Sequence, residues 1–412
     1  MIGFISETIY RLIYPLLLIF LKHGNYSDEA IKLKNGYVNF NNPSGSKVIM
    51  FHGVSVGEIN AIEKLIKKTR EVFSNSKIVV TTGTNTGQEI AHKKLDECAD
   101  LITYFPFDTP SCVKRFLDNV KPDIILIAET EIWPNIGIEC KKRGIKLCII
   151  NGRISDRTYN SYKKLKFFFK PLLKNYSGIY TQSSEDLEKF LSLGANKETT
   201  ERMNNLKFDI TAPDVNFEFD KSGRVFLAAS THTGEDEIIL EVFQNLKSKH
   251  EDLKLIIAPR HLTRIDEVEN LVGQSGFSYE FRSKGVNSME DIDILILDTM
   301  GELSKMFAYS DISFIGGSFN KTGGHNPLES IIFSKPVISG PSIHNFKDIY
   351  AIIQNANAGF VVKNRDDFTK IADKLLSDKD FYNKTSKFGD NVFKSQQGAL
   401  NFVIELIGKF IK

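Results

Sequence analysis

A chain of 412 residues exceeds what one hydrophobic core usually organises, and 42% hydrophobic with 25% charged residues is ordinary globular composition, so two domains are expected. The four cysteines, Cys98, Cys112, Cys140 and Cys148, make no C-x-x-C pair and no secreted-type framework, so neither a zinc site nor a disulfide scaffold is indicated and a reduced, cytoplasmic setting fits best. The formal charge of +2 says little, but residues 141–174 set a dense run of lysine and arginine against one acid, Asp156, an excess that calls for an anionic partner or surface.

Residues 1–21, MIGFISETIYRLIYPLLLIFL, lack a basic n-region and a small-residue cleavage site, which argues against a cleaved signal peptide. The uninterrupted apolar part, Leu12 to Leu21, is too short for a bilayer of about 30 Å and reads as an interfacial or re-entrant anchor. The run Lys163-Lys-Leu-Lys-Phe-Phe-Phe-Lys-Pro-Leu172 is a second candidate membrane contact, with a helix packing its phenylalanines inward as the competing reading.

From 47 to about 200, strands expected over 47–53, 77–82, 123–128, 145–150 and 178–182 alternate with helices over 57–73, 86–97, 109–119, 134–143, 158–173 and 184–192. The near-continuous apolar, β-branched character of those strands suits a parallel sheet covered on both faces. A linker over 211–223 precedes a second alternation, with strands near 224–229, 253–258, 294–298, 312–316, 335–339 and 359–362. Two tail helices, near 379–393 and 398–411, have no sheet partner in sequence and are candidates to cross back to the first domain. A cleft between two α/β halves is the natural place for a site.

The stretch His52-Gly-Val-Ser-Val-Gly-Glu58, between the apolar run Val48–Phe51 and a helical pattern from Ile59, reads as strand, tight turn, helix. It sets Glu58 at a strand's carboxyl edge, where open parallel sheets bind ligands. Two readings stand side by side: a first-turn glutamate that offsets the helix dipole, and a catalytic base with Ser55 beside it. The helix N-terminus would lower its pKa and desolvation would raise it. Glu129 and Glu131, after the strand ending at Ile127, suit orienting an acceptor or steadying a developing charge, or else capping the next helix. Arg153, at another strand exit, suits an acceptor phosphate. The turn Thr82–Gly87 lacks the lysine of a P-loop, the histidines are too scattered for zinc, and no D-x-D pair offers a metal-bound sugar nucleotide a seat, so no metal and no cofactor are expected.

In the second half, four loops at strand exits are rich in donors and short of bulk. Ser230-Thr231-His232-Thr233-Gly234-Glu235 opens a helix, and its hydroxyls and backbone N–H groups suit a phosphate, with Thr233 as an ordinary N-cap the plainer alternative. Pro259-Arg260-His261, Met300-Gly301-Glu302 and Gly323-Gly-His-Asn326-Pro327-Leu328-Glu329 follow, the last with a glutamate suited to a ribose diol. Together they describe a nucleotide pocket.

The motifs at 52–58, 129–135 (Glu-Thr-Glu-Ile-Trp-Pro-Asn), 151–155 (Asn-Gly-Arg-Ile-Ser), 205–209 (Asn-Leu-Lys-Phe-Asp), 229–232, 259–261, 300–302 and 323–329 resemble, in order and over nearly the whole chain, the Kdo (3-deoxy-D-manno-octulosonic acid) transferases of lipopolysaccharide synthesis, glycosyltransferase family 30. The resemblance implies an α/β GT-B fold of two Rossmann-like, doubly wound domains facing across a cleft, with an N-terminal membrane-associated helix. Its boundaries are 1–22 for that helix, 23–210 for the acceptor domain, 211–378 for the CMP-sugar donor domain and 379–412 for the C-terminal helices. It implies inverting transfer of Kdo from CMP-Kdo to a hydroxyl of a lipid A precursor (lipid IVA) at the cytoplasmic face of the inner membrane, in contact with anionic lipids and without nucleic acid. Glu58 becomes the base, Glu129 and Lys207 transition-state stabilisers, and Ser55, Glu131 and Arg153 acceptor contacts. The CMP-binding set becomes Pro259, Arg260, Met300, Gly301, Glu302, Asn326, Pro327, Leu328 and Glu329, to which the loop reading above adds Thr231 and His232. The competing reading is another GT-B enzyme, a transferase or an epimerase, acting on a UDP-sugar.

Overall fold

The computed structural model describes residues 26–216 and 218–411. The apolar segment 1–21 lies outside them; among the described residues no helix is long and apolar enough to cross a membrane.

Two wholly parallel, seven-stranded sheets make the frame. The first comprises β1 (Val48–His52), β2 (Lys77–Thr82), β3 (Leu101–Tyr104), β4 (Ile124–Ala128), β5 (Lys146–Gly152), β6 (Gly178–Thr181) and β7 (Thr200–Arg202), in the order β3-β2-β1-β4-β5-β6-β7. The second comprises β8 (Arg224–Thr231), β9 (Leu253–Pro259), β10 (Tyr279–Phe281), β11 (Ile294–Ile296), β12 (Ile312–Ile315), β13 (Val337–Ser339) and β14 (Gly359–Val361), in the order β10-β11-β9-β8-β12-β13-β14. The central strands are buried on both faces, as VIMFH in β1 and IILIA in β4 require. Strand order reverses beside the first strand of each sheet, between β1 and β4 and between β8 and β12, where doubly wound sheets bind ligands at the carboxyl edge.

The chain divides into two compact units, one running to Asp209 and resuming at Gln396, the other spanning Ile210–Ser395. The tail therefore does not behave as one piece from 379: the helix Lys379–Gln396 stays with the second unit up to Ser395, and Ala399–Ile411 belongs to the first. Val403, Leu406 and Ile407 join Ile59, Ile62 and Ile66 of the helix Val56–Val72 in one core. Fully burying each such side chain stabilises by about 1.5–3 kcal/mol, so the last helix fixes the one that begins at the Glu58 turn.

Three strands escape the sequence reading: β3, β7 and β10, each at a sheet edge and three or four residues long. The expected helix 158–173 is two, Asp156–Lys164 and Lys166–Leu173, broken at Leu165 with φ −107° and ψ 27°.

Candidate active site

Ser55 caps the helix Val56–Val72, accepting the Glu58 N–H at 3.5 Å and donating its hydroxyl to Glu58 Oε1 at 3.2 Å. Glu58 reaches back and accepts the Val54 N–H on Oε2, a capping-box arrangement shifted by one residue. The capping reading of Glu58 therefore holds. Desolvation wins over the donors: burial, then the neighbouring charges of Glu129 and Glu131, push the carboxyl up to about 7, against the pull of the Val54 N–H and the Ser55 hydroxyl. Ser55, expected to touch an acceptor, is not among the residues lining the cavity below; its hydroxyl is spent on the cap.

The turn Thr82–Gly87 buttresses this arrangement. Gly83 N–H and the Thr84 hydroxyl both donate to Val54 O, at 3.1 and 3.2 Å. A Cβ on Gly83 would stand 2.7 Å from Val54 Cγ1, and one on Gly87 3.0 Å from Val54 O, so glycine is needed for so close an approach. The buried Lys34 ammonium donates to Gly83 O at 2.8 Å from between the rings of Tyr26 and Tyr104, and desolvation brings its pKa down to about 8.

Glu58, Glu129, Thr130, Glu131, Arg153, Ser155 and Thr158 line one open cavity of about 260 Å³. Glu58 enters from the exit of β1 and Glu129 to Glu131 from the exit of β4, the two sides of the first switch point. The capping role weighed for Glu129 and Glu131 belongs instead to Asp108, whose carboxylate accepts the N–H groups of Asn135 and Ile136 at 3.0 and 2.9 Å at the start of the helix Pro134–Arg143. Glu129 adopts a left-handed backbone, φ 58°, a conformation that non-glycine residues keep mainly where function or close packing holds it.

Glu131 is held from behind by residues whose part the spacing did not announce. Trp133 Nε1 donates to Oε2 at 2.8 Å, and His52 Nε2 faces the same oxygen at 3.4 Å. His52 is itself anchored by Thr81 Oγ1 at 3.0 Å and stacked on Phe105, which packs against Trp133. The Tyr176 hydroxyl donates to Glu131 O and accepts the Trp133 N–H. Tyr176 lies some forty residues away, so only topology could bring it here.

Arg153 leaves β5 with its N–H on Thr130 Oγ1 at 3.1 Å, tying two walls of the cavity together. Lys207 is not among the lining residues. Its short turn, Leu206–Phe208, is pinned to the end of β5, where the buried Asn151 accepts the Leu206 N–H, and Gln182 joins Asn151 O to the Asn205 amide.

In the second unit the expected nucleotide loops leave four adjacent strands, β11, β9, β8 and β12. Arg260 N–H donates to Thr231 O at 2.9 Å, joining the exits of β9 and β8. His232 meets His325 at 2.8 Å, and the His261 ring stands edge-on to His232. Burial pushes the Glu329 carboxyl up while the Arg260 charge works the other way. Asn326 Oδ1 accepts the Leu328 N–H at 3.2 Å, so Asn326, Pro327 and Leu328 shape the start of the short helix Leu328–Ile331. Met300 is 81% exposed and Gly301 has φ 83°. Glu302 accepts from Arg282 and Thr299, and although burial opposes it, those donors hold its carboxyl below the usual range.

One expectation is corrected. Thr233 is not the cap of the helix, and of the loop's own N–H groups that of His232 is taken by a carboxylate. Gly234, with φ 86°, occupies the cap position, and the fully buried Glu235 accepts four backbone N–H groups, from His232, Gly317, Ser318 and Phe319, at 2.7 to 3.0 Å. Glu235 lies only three residues after His232, but three of its four donors come from a loop more than eighty residues on, which local spacing does not reveal.

Residues 29–210 match the family model described as 3-Deoxy-D-manno-octulosonic-acid transferase (kdotransferase), and residues 225–392 match Glycosyl transferases group 1. The 3-deoxy-D-manno-octulosonic acid transferase of Haemophilus influenzae is 30% identical over 99% of this chain and 99% of its own. A bifunctional glycosyltransferase/methyltransferase of Fusobacterium nucleatum is 36% identical over 89% of this chain, which spans 60% of that longer protein. Among solved structures, the UDP-GlcNAc 2-epimerase of Neisseria meningitidis bound to UDP-GlcNAc shares the fold, with TM-score 0.54 at 14% identity over 88% of this chain and all of that one. The chain is of the GT-B fold class, and it belongs to the 3-deoxy-D-manno-octulosonic acid (Kdo) transferases.

Proposed function

We propose that this Kdo transferase moves the sugar from CMP-Kdo to a hydroxyl of a lipid A precursor, lipid IVA, with inversion, at the cytoplasmic face of the inner membrane. The observation that carries the reading is Glu58: a carboxyl pushed up to about 7, lining a cavity with Glu129, Glu131 and Arg153. A carboxylate of that pKa is matched to taking a proton from an alcohol near neutral pH as the glycosidic bond forms. Transfer from a β-linked CMP sugar to an α-ketoside in one displacement needs one such base and no covalent sugar intermediate. Glu129 and Glu131, beside Glu58, offset positive charge building on the anomeric carbon; Arg153 meets an acceptor phosphate. Lys207 and Arg260 take charge on the departing CMP, with Glu329 on the ribose.

Contact with anionic lipid belongs to the same reading. Lys163, Lys164, Lys166 and Lys170 are exposed, as are Leu165 and, at 79%, Phe167, the pairing of cations with protruding apolar side chains that suits a lipid headgroup region.

Incubation of the full chain with CMP-Kdo and lipid IVA, followed by mass spectrometry of the lipid, should show added Kdo, and Glu58→Gln should slow its addition by about 10²–10⁴-fold while CMP binding persists. A protein that binds UDP in preference to CMP and leaves the lipid unchanged would overturn the reading.

A further inference from the structure

The closest contact among the histidines of the second unit is His232 Nε2 to His325 Nε2, 2.8 Å apart, with ring planes only 10° apart and centroids 5.1 Å apart. Two rings so placed meet edge to edge in a common plane, the geometry of an in-plane N–H···N hydrogen bond rather than a face-to-face stack. One imidazole donates from Nε2, and the acceptor necessarily carries its hydrogen on Nδ1. The donor ring, when neutral, then has a bare Nδ1, an acceptor with nothing to offer an anion. One proton added at that nitrogen turns both Nδ1 positions into donors without breaking the Nε2 contact; a second proton would force two N–H groups together. The pair therefore has two states, neutral and singly charged.

Its surroundings hold the neutral state. Burial, His232, Arg260 and His261 bring His325 down to about 4. Burial also lowers His232, which faces His261, Arg264 and Arg260 as like charges and Glu235 as the one acid. Glu235 is already saturated by four backbone N–H groups, and Arg264 is paired with Asp236 and Glu267. His344 lies against Gly323, two residues before His325, and the Gly317 turn packs on the His325 ring. The same saturation by Glu235 removes the N–H groups of His232 and 317–319 as phosphate donors, which leaves side chains at this edge a share of the charge on a bound nucleotide.

We propose that His232 and His325 act as one proton-accepting unit that takes a proton from solvent when a cytidine nucleotide phosphate binds, becoming a cationic clamp on that anion. This rests on the donor-site reading above. An arriving anion offsets the burial and the like-charge repulsion that together keep the pair neutral, and one proton moves from buffer to the bare Nδ1; no other bond changes.

The test is calorimetry of CMP binding to the full chain in buffers of different ionisation enthalpy near pH 7.5, for wild type, His325→Gln and His232→Gln, with folding checked by thermal melts. Wild type should take up a substantial fraction of a proton beyond either variant, the ionisation of CMP itself being common to all three. Its CMP affinity should fall about tenfold between about pH 6.5 and pH 8.5, while a folded variant changes less than about threefold. If one variant does not fold, the other and the wild-type pH series still decide. Equal proton counts and parallel pH profiles in wild type and a folded variant would overturn the inference and leave the donor site standing. Absence of CMP binding to wild type at every pH would overturn the donor-site reading and the inference with it.

Discussion

Glu58 accepts the backbone N–H of Val54, four residues before it, and its carboxyl is nonetheless pushed up to about 7. Capping and basicity, which sequence sets against each other, coexist because burial and two neighbouring carboxylates outweigh one N–H donor. Transfer should therefore rise with pH through about 7 and level off above it, since only the ionised form accepts a proton. Glu58→Gln should lower turnover by about 10²–10⁴-fold and remove that rise. A variant with near-normal turnover, measured by mass spectrometry of the product, would take Glu58 out of the chemistry.

The same pair fixes the sign of a stability effect. A carboxyl whose folded pKa lies above its unfolded value binds its proton more tightly when folded, so stability falls as pH rises from about 4.5 to about 7 and stays lowered above. Glutamine keeps an oxygen for the Val54 N–H and drops the charge. Glu58→Gln should be more stable than wild type above pH 7, by about 1–2 kcal/mol, and equal to it below about pH 4.5. Denaturant melts at the two pH values would show the crossover; equal stability at both would mean the carboxylate is better solvated than its burial implies.

Much of this site is legible in the chain itself, and what is not has a physical cause. The central strands announce themselves because burial on both faces demands unbroken runs such as Ile124–Ala128. β3, β7 and β10 do not, because an edge strand such as Thr200–Arg202 is covered on fewer sides and needs no such run. The break at Leu165 escapes for a different reason, since the spacing of polar and apolar residues runs through it unchanged. Glu58, Glu129, Glu131 and Arg153 stand at strand exits and could be picked out there. Asp108 and Tyr176, which free and orient Glu131, come from other parts of the chain, and short motifs carry no trace of a contact made across elements.

Trp133 illustrates that second layer. As the chain's one tryptophan it reads as packing, and it does pack on Phe105, yet its Nε1 also donates to Glu131 at 2.8 Å. Trp133→Phe keeps an aromatic ring and deletes the donor. It should leave the melting temperature within a few degrees of wild type and lower kcat/KM for the lipid acceptor by about tenfold, the value of one hydrogen bond to a charged group. An unchanged kcat/KM would make the indole contact incidental.

Glu235 carries the opposite expectation, a stability effect with a large size. Its carboxylate satisfies four backbone N–H groups from two loops, so Glu235→Ala leaves all four buried donors without their acceptor. The loss should reach about 4 kcal/mol or more, with Glu235→Gln intermediate because only one of its two terminal atoms still accepts. Chemical denaturation read by a probe confined to the second unit would check this. A Glu235→Ala protein as stable as wild type would mean that water replaces the carboxylate at little cost.

The exposed cations of 163–170 give the last expectation. Because Lys163, Lys164, Lys166 and Lys170 lie at the surface, reversing them to glutamate should leave folding intact, and Phe167→Ser removes a side chain that is 79% exposed. Each lysine near an anionic bilayer contributes about 1 kcal/mol, so the fourfold reversal should weaken binding of the full chain to vesicles containing phosphatidylglycerol by at least about 100-fold at low salt. Binding to neutral phosphatidylcholine vesicles should barely change with the lysines and should drop with Phe167→Ser, which separates the electrostatic part from the apolar part. If sedimentation shows the anionic-vesicle affinity unmoved by all four reversals, the basic surface serves something other than lipid.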